Sequence, residues 1–158
     1  PPAGGSRAIF SFAGKRPTFE EQYVTPEVVF SGVQTEGRYS LISEVWTPQF
    51  QVPPHFHSRH AETFFVISGQ VEWTVDGRTQ VLGAGDAVYI PPGAVHSVRV
   101  VGGKDMHTLM LSEPGGFEET AAIGMSLTPE EMKNPKVAAA ARFLGDFTPA
   151  EHPKPKKD

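Results

Sequence analysis

The chain has 158 residues, of which 39% are hydrophobic, with 11 Phe, 16 Gly and 15 Pro; this composition excludes a disordered chain and is typical of one compact domain with many turns. The formal net charge of -4 argues against nucleic acid or anionic lipid as a partner, because the only basic cluster, KPKKD, lies at the C-terminal end. The absence of Cys excludes disulfides, thiolate ligands and thiol nucleophiles, so any bound metal must have nitrogen and oxygen ligands.

No apolar run approaches the ~20 residues that are needed to span a bilayer, and the first ten residues lack the apolar segment of a signal peptide. We therefore expect no membrane partner and a soluble, cytoplasmic protein. Because the chain begins at Pro1 rather than at a methionine, the missing signal peptide supports this localisation only weakly.

The N-terminal part of the chain predicts an arm followed by paired strands. Residues 1–17 are punctuated by Gly and Pro and predict an arm. The segments VVFSGV and RYSLISEVW flank residues 35–37, which end in Gly, and predict two strands joined by a turn.

The pattern is sharper after Gly69. In VEWTVDGRTQVL, apolar and polar residues alternate with the period of a strand that has one face in the core. Asp76-Gly77 then predicts a hairpin, because Gly accepts the positive φ of a type I′ turn. AVYIPPGAVHSVRVV and MHTLMLS predict further short strands, and strands about every ten residues between Gly/Pro turns indicate an all-β sandwich or barrel over residues 18–113.

The chain changes character after the barrel. TPEE and NPKVAAAARFLG each predict the start of a helix, and the second helix is expected to stop at Gly145. A third short helix is predicted over Phe117–Ile123. These segments make a C-terminal helical extension over 114–147, and residues 148–158 predict a flexible tail.

Three histidines and one glutamate form a candidate metal site. On an extended strand, residues two apart share a face, so His55 and His57 present two imidazoles to one point. Glu62 follows after a length of chain that allows a tight turn, and His96 follows the turn that Pro91-Pro92-Gly93 forces. Three neutral imidazoles and a carboxylate suit a divalent first-row transition metal: Ni, Mn, Fe, Co or Cu, with Zn an alternative in the protein as purified.

The same residues carry a family resemblance. His, any residue, His, four residues, Glu, six residues and Gly form one motif; Gly, five residues, Pro, any residue, Gly, two residues and His form a second. The first is met by His55, His57, Glu62 and Gly69, and the second by Gly85, Pro91, Gly93 and His96. Both resemble the motifs of the cupin superfamily. Gln49 and Val100 depart from the pattern, but they lie outside the ligand positions and affect only local loop geometry.

The resemblance implies a fold and an activity. The implied fold is a cupin jelly-roll barrel (double-stranded β-helix) with short C-terminal helices and one metal near its mouth, held by His55, His57, Glu62 and His96. Within the superfamily the chain most resembles single-domain cupins that are similar to quercetin 2,3-dioxygenase. That resemblance implies cleavage of a flavonol, quercetin-like, or of a related enolizable aromatic substrate with O₂. Glu62 would accept the substrate proton, its basicity raised by an apolar barrel wall.

The remaining histidines, His60, His107 and His152, are not expected to bind the metal. A lone histidine on a strand is more often a surface or satisfied core residue than a ligand, and we apply this interpretation to His107 and His152. It is also the favoured interpretation of His60, although that residue lies in the turn between ligand positions and contact with substrate or with a ligand is its alternative.

Strand parity also predicts pocket residues. Phe64 and Val66 share the face of Glu62, and Val98 shares the face of His96, while three more distant residues are weaker candidates. Those three are Trp46, Phe50 and Met110. Core packing is the alternative role for each. The C-terminal helices are expected to form a lid over the mouth through Phe117 or Met125, and protection of the sheet edges is their alternative role.

Two other functions stay open. The same site can serve another metal-dependent cupin reaction, such as that of an isomerase, decarboxylase or lyase, and oxygen consumption separates these from a dioxygenase. A non-catalytic cupin that only binds a small molecule is the second alternative. Exposed strand edges and the N-terminal arm favour a homodimer.

Overall fold

A computed structural model describes residues 8–19, 21–119, 121 and 130–153. These residues form two five-stranded antiparallel sheets with the strand orders β1-β2-β9-β4-β7 and β10-β3-β8-β5-β6. The strands are β1 (Val24–Phe30), β2 (Ser40–Trp46), β3 (Gln51–Phe56), β4 (Ala61–Ser68), β5 (Gln70–Val75), β6 (Arg78–Gly83), β7 (Ala87–Ile90), β8 (His96–Val101), β9 (Met106–Glu113) and β10 (Thr148–Pro149). The all-β jelly-roll prediction is confirmed.

Both predicted turns connect paired strands. β1 pairs with β2, and the turn between them has positive φ at Glu36 (57°) and Gly37 (77°). β5 pairs with β6 through Asp76 (φ 48°) and Gly77 (φ 78°). Positive φ at both central residues is what a type I′ hairpin requires, so the turn chemistry sets the register of β5 against β6.

The core lies between the two sheets. Alternate residues of β2, β5, β8 and β9 point inward, and aromatic side chains from both sheets meet there. Ring centroids lie 4.7 Å apart for Phe64 and Trp73, 5.6 Å for Trp46 and Phe64, and 6.2 Å for Trp46 and Trp73. Burying a large apolar side chain stabilises a fold by roughly 1.5–3 kcal/mol, so this aromatic cluster holds the sheets together on one side of the site described below.

Gly69 shows why the first motif ends in glycine. The residue joins β4 to β5 with φ of 81°. A Cβ atom there would lie 2.5 Å from the carbonyl oxygen of Asp105 and 2.7 Å from the Cα of Met106. Any other residue would push β9 away from this corner, because both obstructing atoms belong to the backbone.

The second of the predicted C-terminal helices is present. Helix α1 spans Pro135–Gly145, and the Asn134 side chain caps it by accepting a hydrogen bond from the Lys136 backbone (3.0 Å). A short 3₁₀ helix, Glu131–Lys133, precedes α1, whereas the start of TPEE lies outside the described residues. No helix in the described part of the chain has the length and apolar character needed to cross a bilayer.

Three other predicted segments fall partly or wholly outside the described residues. Residues 117–119 and 121 of the predicted helix over Phe117–Ile123 are helical, and the others of that helix are not described. Residues 1–7 of the arm and 154–158 of the tail are not described either.

The beginning of the predicted flexible tail is ordered, contrary to the prediction. Thr148–Pro149 form β10, which pairs with residues 55–56 of β3. Slightly further on, His152 Nε2 lies 2.7 Å from Ser97 Oγ on β8. The physical reason is that β3 would otherwise leave a row of backbone groups unpaired at the edge of its sheet.

Candidate metal centre and its cavity

The four predicted metal residues meet at one end of the barrel. His55 lies near the end of β3, His57 follows this strand, Glu62 lies in β4 and His96 begins β8. One nitrogen from each histidine lies within 4.8 Å of those of the others. Glu62 Oε2 lies 3.4 Å from His57 Nε2 and 3.5 Å from His96 Nε2. All four residues are only 1–6% exposed, so their polar atoms face one another rather than water.

Backbone register explains this convergence. His55 pairs directly with His96 across β3 and β8, after a register shift between Val52 and His55. Such an irregularity changes which residues of a strand face inward. On the other side, the Gly93 amide donates to the His57 carbonyl oxygen (2.7 Å), which anchors the turn before His96.

Hydrogen bonds fix the tautomer of all three histidines. Each Nδ1 lies 2.7–2.9 Å from a backbone carbonyl oxygen, which can only accept, so Nδ1 carries a proton. Nε2 is left to bind a metal through its lone pair in the neutral ring, or to donate to Glu62 in the protonated ring. The pairs are His55 with Pro53, His57 with Asp146, and His96 with Ala94. Burial, followed by the charge of His96, lowers the pKa of His55 to about 4, which keeps it neutral.

These donors fit a divalent transition metal. His96 Nε2 is buried and has no hydrogen-bond partner among the described residues, which is costly unless a cation or another group satisfies it. Three neutral imidazole nitrogens and one carboxylate are a ligand set that such a metal accepts. The ligand types do not select one metal over another.

The surroundings of Glu62 differ from the expectation. Burial alone raises the pKa of Glu62, but interactions with His57, His60 and His96 outweigh burial and hold the pKa well below its usual value. The expectation that an apolar wall raises its basicity is therefore wrong. Polar neighbours, not the wall, decide the protonation of this carboxyl group.

Asp146 is a buried residue that the sequence interpretation missed. Its Oδ1 accepts hydrogen bonds from Ser58 N (2.8 Å) and Ser58 Oγ (2.6 Å), and its Oδ2 accepts from Arg59 N (2.8 Å) and His60 Nδ1 (2.9 Å). Its backbone carbonyl accepts from His57 Nδ1. Burial raises the pKa of Asp146, but the hydrogen bonds from Ser58 and Arg59 outweigh burial and lower the pKa to about 2. One residue thus holds both a metal-site histidine and the turn before Glu62.

Asp146 lies beside His57 because it directly follows the last residue of α1. Gly145 was expected to stop the helix, but the residue in the left-handed conformation after it is Asp146, with φ of 49°. The next residue, Phe147, stacks on the His55 ring with centroids 4.3 Å apart and planes 19° apart. No local pattern places either residue beside β3, because the contact spans almost 90 residues.

A cavity of about 200 Å³ adjoins the four metal residues. Five of the six predicted pocket residues line it, and Val66 does not. Val66 is fully buried in the core, two residues beyond Phe64 on β4. Phe117, a predicted lid residue, also lines the cavity, whereas Met125 lies outside the described residues. The five are Trp46, Phe50, Phe64, Val98 and Met110.

The cavity also contains carboxyl groups that the sequence interpretation did not single out. Glu44 and Glu21 line it, together with Trp73. Trp46 Nε1 donates to Glu44 Oε2 (2.8 Å). Burial, followed by the charge of Glu21, raises the pKa of Glu44 to about 8. Strand alternation was the available signal, because Glu44 shares the inward parity of Ile42 and Trp46.

The other histidines divide into two kinds. His60 is 8% exposed and its Nε2 lies 3.7 Å from Glu62 Oε1. The favoured interpretation of His60 as a residue without a role at the site is therefore wrong, and its alternative, contact with a candidate ligand, is what the structure has. The two remaining histidines lie away from the cavity, hydrogen-bonded to serines. These are His107 with Ser43 (2.8 Å) and His152 with Ser97 (2.7 Å).

Sequence comparison identifies the domain. Residues 43–112 match the family model of the cupin domain. Over 94 residues, 58% of this chain, the sequence is 32% identical to quercetin 2,3-dioxygenase of Bacillus subtilis (strain 168). The chain spans only 27% of the length of that relative.

Solved structures agree on the fold. KdgF from Halomonas sp. superposes with a TM-score of 0.63 at 18% identity, covering 72% of this chain and 99% of that one. A predicted oxalate decarboxylase from Thermotoga maritima gives a TM-score of 0.62 at 16% identity, covering 67% and 99%. At such identities the likeness shows the fold alone. With the two motifs and the convergence of their residues, the match identifies residues 43–112 as a cupin domain.

Proposed function

We propose that the protein is a metal-dependent cupin dioxygenase that cleaves a flavonol, quercetin-like, or a related enolizable aromatic substrate with O₂. The convergence of three histidines and Glu62 beside an aromatic cavity carries this proposal. The similarity to the Bacillus subtilis quercetin 2,3-dioxygenase supports the reaction class.

The proposed function gives each side chain of the site a role. His55, His57, His96 and Glu62 would hold one divalent transition metal. Bound there, such a metal supplies Lewis acidity that lowers the pKa of a substrate hydroxyl group. The Nδ1 hydrogen bonds keep each imidazole in the ligating tautomer, and Glu62 accepts the hydroxyl proton.

The cavity wall selects and protects the substrate. Trp46, Phe50, Phe64 and Trp73 present aromatic surfaces to a planar ring and exclude water from the deprotonated, electron-rich form. That form is the one that reacts with O₂.

The reaction class is tested by elemental analysis of the purified protein, followed by an oxygen-uptake screen over flavonols, catechols and β-diketones. We expect a transition metal near one per chain and oxygen uptake with flavonols. A metal-loaded protein that consumes no oxygen with any of these compounds is not this dioxygenase.

The role of Glu62 is tested by Glu62→Asp. The shorter side chain keeps a carboxylate ligand but moves its oxygens, so we expect metal to be retained and turnover to fall on the order of 100-fold. Glu72→Asp is the matched control, because Glu72 pairs with Arg99 (2.6 Å) outside the site. Full activity of Glu62→Asp would remove Glu62 from proton transfer.

One observation favours a second candidate. The cavity of about 200 Å³ is smaller than the roughly 300–1,000 Å³ of sites that enclose drug-sized ligands, so a three-ring flavonol must extend partly out of it. A small substrate undergoing isomerisation, decarboxylation or elimination at the same centre fits inside. Product formation without oxygen uptake would favour this candidate.

A further inference from the structure

Glu44 occupies an unusual place for a carboxyl group. It lies in the middle of β2, is 5% exposed and lines the same cavity as the metal residues. Its carboxyl group accepts a hydrogen bond from the indole N–H of Trp46. Among the described residues, no ion pair joins Glu44 to a Lys, Arg or His. Burying a carboxylate without a cation is costly, so the fold alone gives no reason for a glutamate here.

The surroundings keep Glu44 protonated. Burial and the nearby carboxyl group of Glu21 raise the pKa of Glu44 to about 8. Because the Trp46 N–H needs an acceptor at Oε2, the proton resides on Oε1, and Glu44 is a hydrogen-bond donor near neutral pH.

A second donor lies in the same wall. Trp73 is 3% exposed and lines the cavity, and its Nε1 has no hydrogen-bond partner in the described part of the chain. Buried donors are nearly always paired, so this one requires an acceptor that the protein does not supply. Trp73 packs against Trp46, the hydrogen-bond partner of Glu44, with ring centroids 6.2 Å apart. The Trp73 ring lies equally close to that of His96, with centroids 6.2 Å apart, so this donor stands between Glu44 and the metal residues.

Glu44 itself is displaced from the metal residues along the strands. Glu62 on β4 pairs with Ser112 on β9, which pairs with Ser40 on β2. Glu44 lies four positions beyond Ser40, an offset of about 13 Å at ~3.3 Å per residue. The backbone of Glu44 is thus well separated from that of Glu62, and Trp73 adjoins both regions of the cavity.

We propose that Glu44, with Trp73 between it and the metal residues, forms a second binding subsite, which donates hydrogen bonds to substrate oxygens other than the one at the metal residues. The subsite takes planar aromatic compounds with oxygen atoms at both ends, such as flavonols hydroxylated on their outer rings. This inference rests on the proposed function for its choice of probe, but its test measures binding rather than turnover.

The experiment compares two probes by quenching of tryptophan fluorescence, without oxygen, on metal-loaded protein. The two Trp residues of the chain both line the cavity, so the signal reports on this site. 3-Hydroxyflavone has no hydroxyl groups on its outer rings, whereas quercetin has them on both. We expect the wild-type protein to bind quercetin about tenfold more tightly.

Glu44→Leu should abolish this preference: Kd for quercetin rises about tenfold while Kd for 3-hydroxyflavone changes less than about twofold. Glu44→Gln keeps a donor of the same shape and should retain most of the preference, and it serves as the folding control. Trp73→Phe should weaken quercetin binding alone, with Trp46 as the remaining reporter.

Equal losses for both probes in Glu44→Leu, no preference in the wild-type protein, or no binding of either probe would overturn the subsite. Parallel oxygen-uptake measurements keep the two proposals separate. Preferential binding of quercetin without oxygen uptake would refute the dioxygenase and support the subsite. Oxygen uptake together with an unchanged preference for quercetin in Glu44→Leu would support the dioxygenase and refute the subsite.

Discussion

Glu62 and Glu44 are two buried glutamates of one sheet and one cavity, and their surroundings drive their protonation in opposite directions. Both are 5% exposed. The pKa of Glu62 is held well below its usual value, whereas that of Glu44 is raised to about 8. Burial raises the pKa of both, so burial does not explain the difference.

The groups next to each glutamate explain why the two pKa values move in opposite directions. Glu62 faces three imidazoles, which stabilise the carboxylate, and Glu44 faces an indole N–H and the carboxyl group of Glu21, which together do not offset burial. One cavity can therefore hold both an anionic carboxylate and a neutral carboxylic acid. Each prediction below alters one side of this comparison.

The largest effect is expected from His96→Ala, which removes a ligand from the Glu62 end. The loss of an imidazole should weaken metal binding by at least about 100-fold, since even residues that only orient ligands cost 10–100-fold. Competition with a chelator measures this. His107→Ala is the control, because His107 lies on β9 with Ser43 as its partner. Unchanged affinity in His96→Ala would exclude this residue from the metal centre.

An intermediate effect is expected from Asp146→Asn. The amide places an NH₂ group where an oxygen now accepts hydrogen bonds from the turn at 58–60, so we expect metal affinity to fall about tenfold. The matched control is Asp86→Asn, an exposed aspartate that accepts from the Gly83 amide (2.9 Å). If both variants bind metal as tightly as the wild-type protein, Asp146 has no part in orienting the site.

The smallest effect concerns the charges around Glu44. Removing a neighbouring negative charge favours the ionised form, so Glu21→Gln and Glu62→Gln should both lower the pKa of Glu44. Glu21→Gln should lower it more, because Glu21 contributes more than Glu62 to the raised value. Titration of ¹³C-labelled glutamate carboxyl groups by NMR measures both shifts. The reverse order would show that Glu62 dominates the field at Glu44.

Residues close in sequence were the predictable part of the site. His55 and His57 share a face because strands have a period of two, and the Pro-Gly turn before His96 is a local signal. Gly69 and the Asp76-Gly77 hairpin were likewise readable, because steric and φ requirements act on single residues. Glu44 could have been found from the same alternation.

Contacts distant in sequence were not predictable. Asp146 and Phe147 follow an ordinary helix end, and only the folded chain shows that they lie against His57 and His55. Val66 was wrongly assigned to the pocket, because parity gives the face of a strand but not how far the cavity extends along it.

The pairing of β10 with β3 has a consequence for the order in which the protein matures. The three histidines and Glu62 leave the ribosome well before Asp146, whose carbonyl oxygen orients His57 and whose side chain secures the neighbouring turn. A nascent barrel thus has its ligands before it has the segment that orients them. Under the proposed function, we expect the metal affinity to reach its full value only after residues 146–149 have been synthesised and have folded against β3.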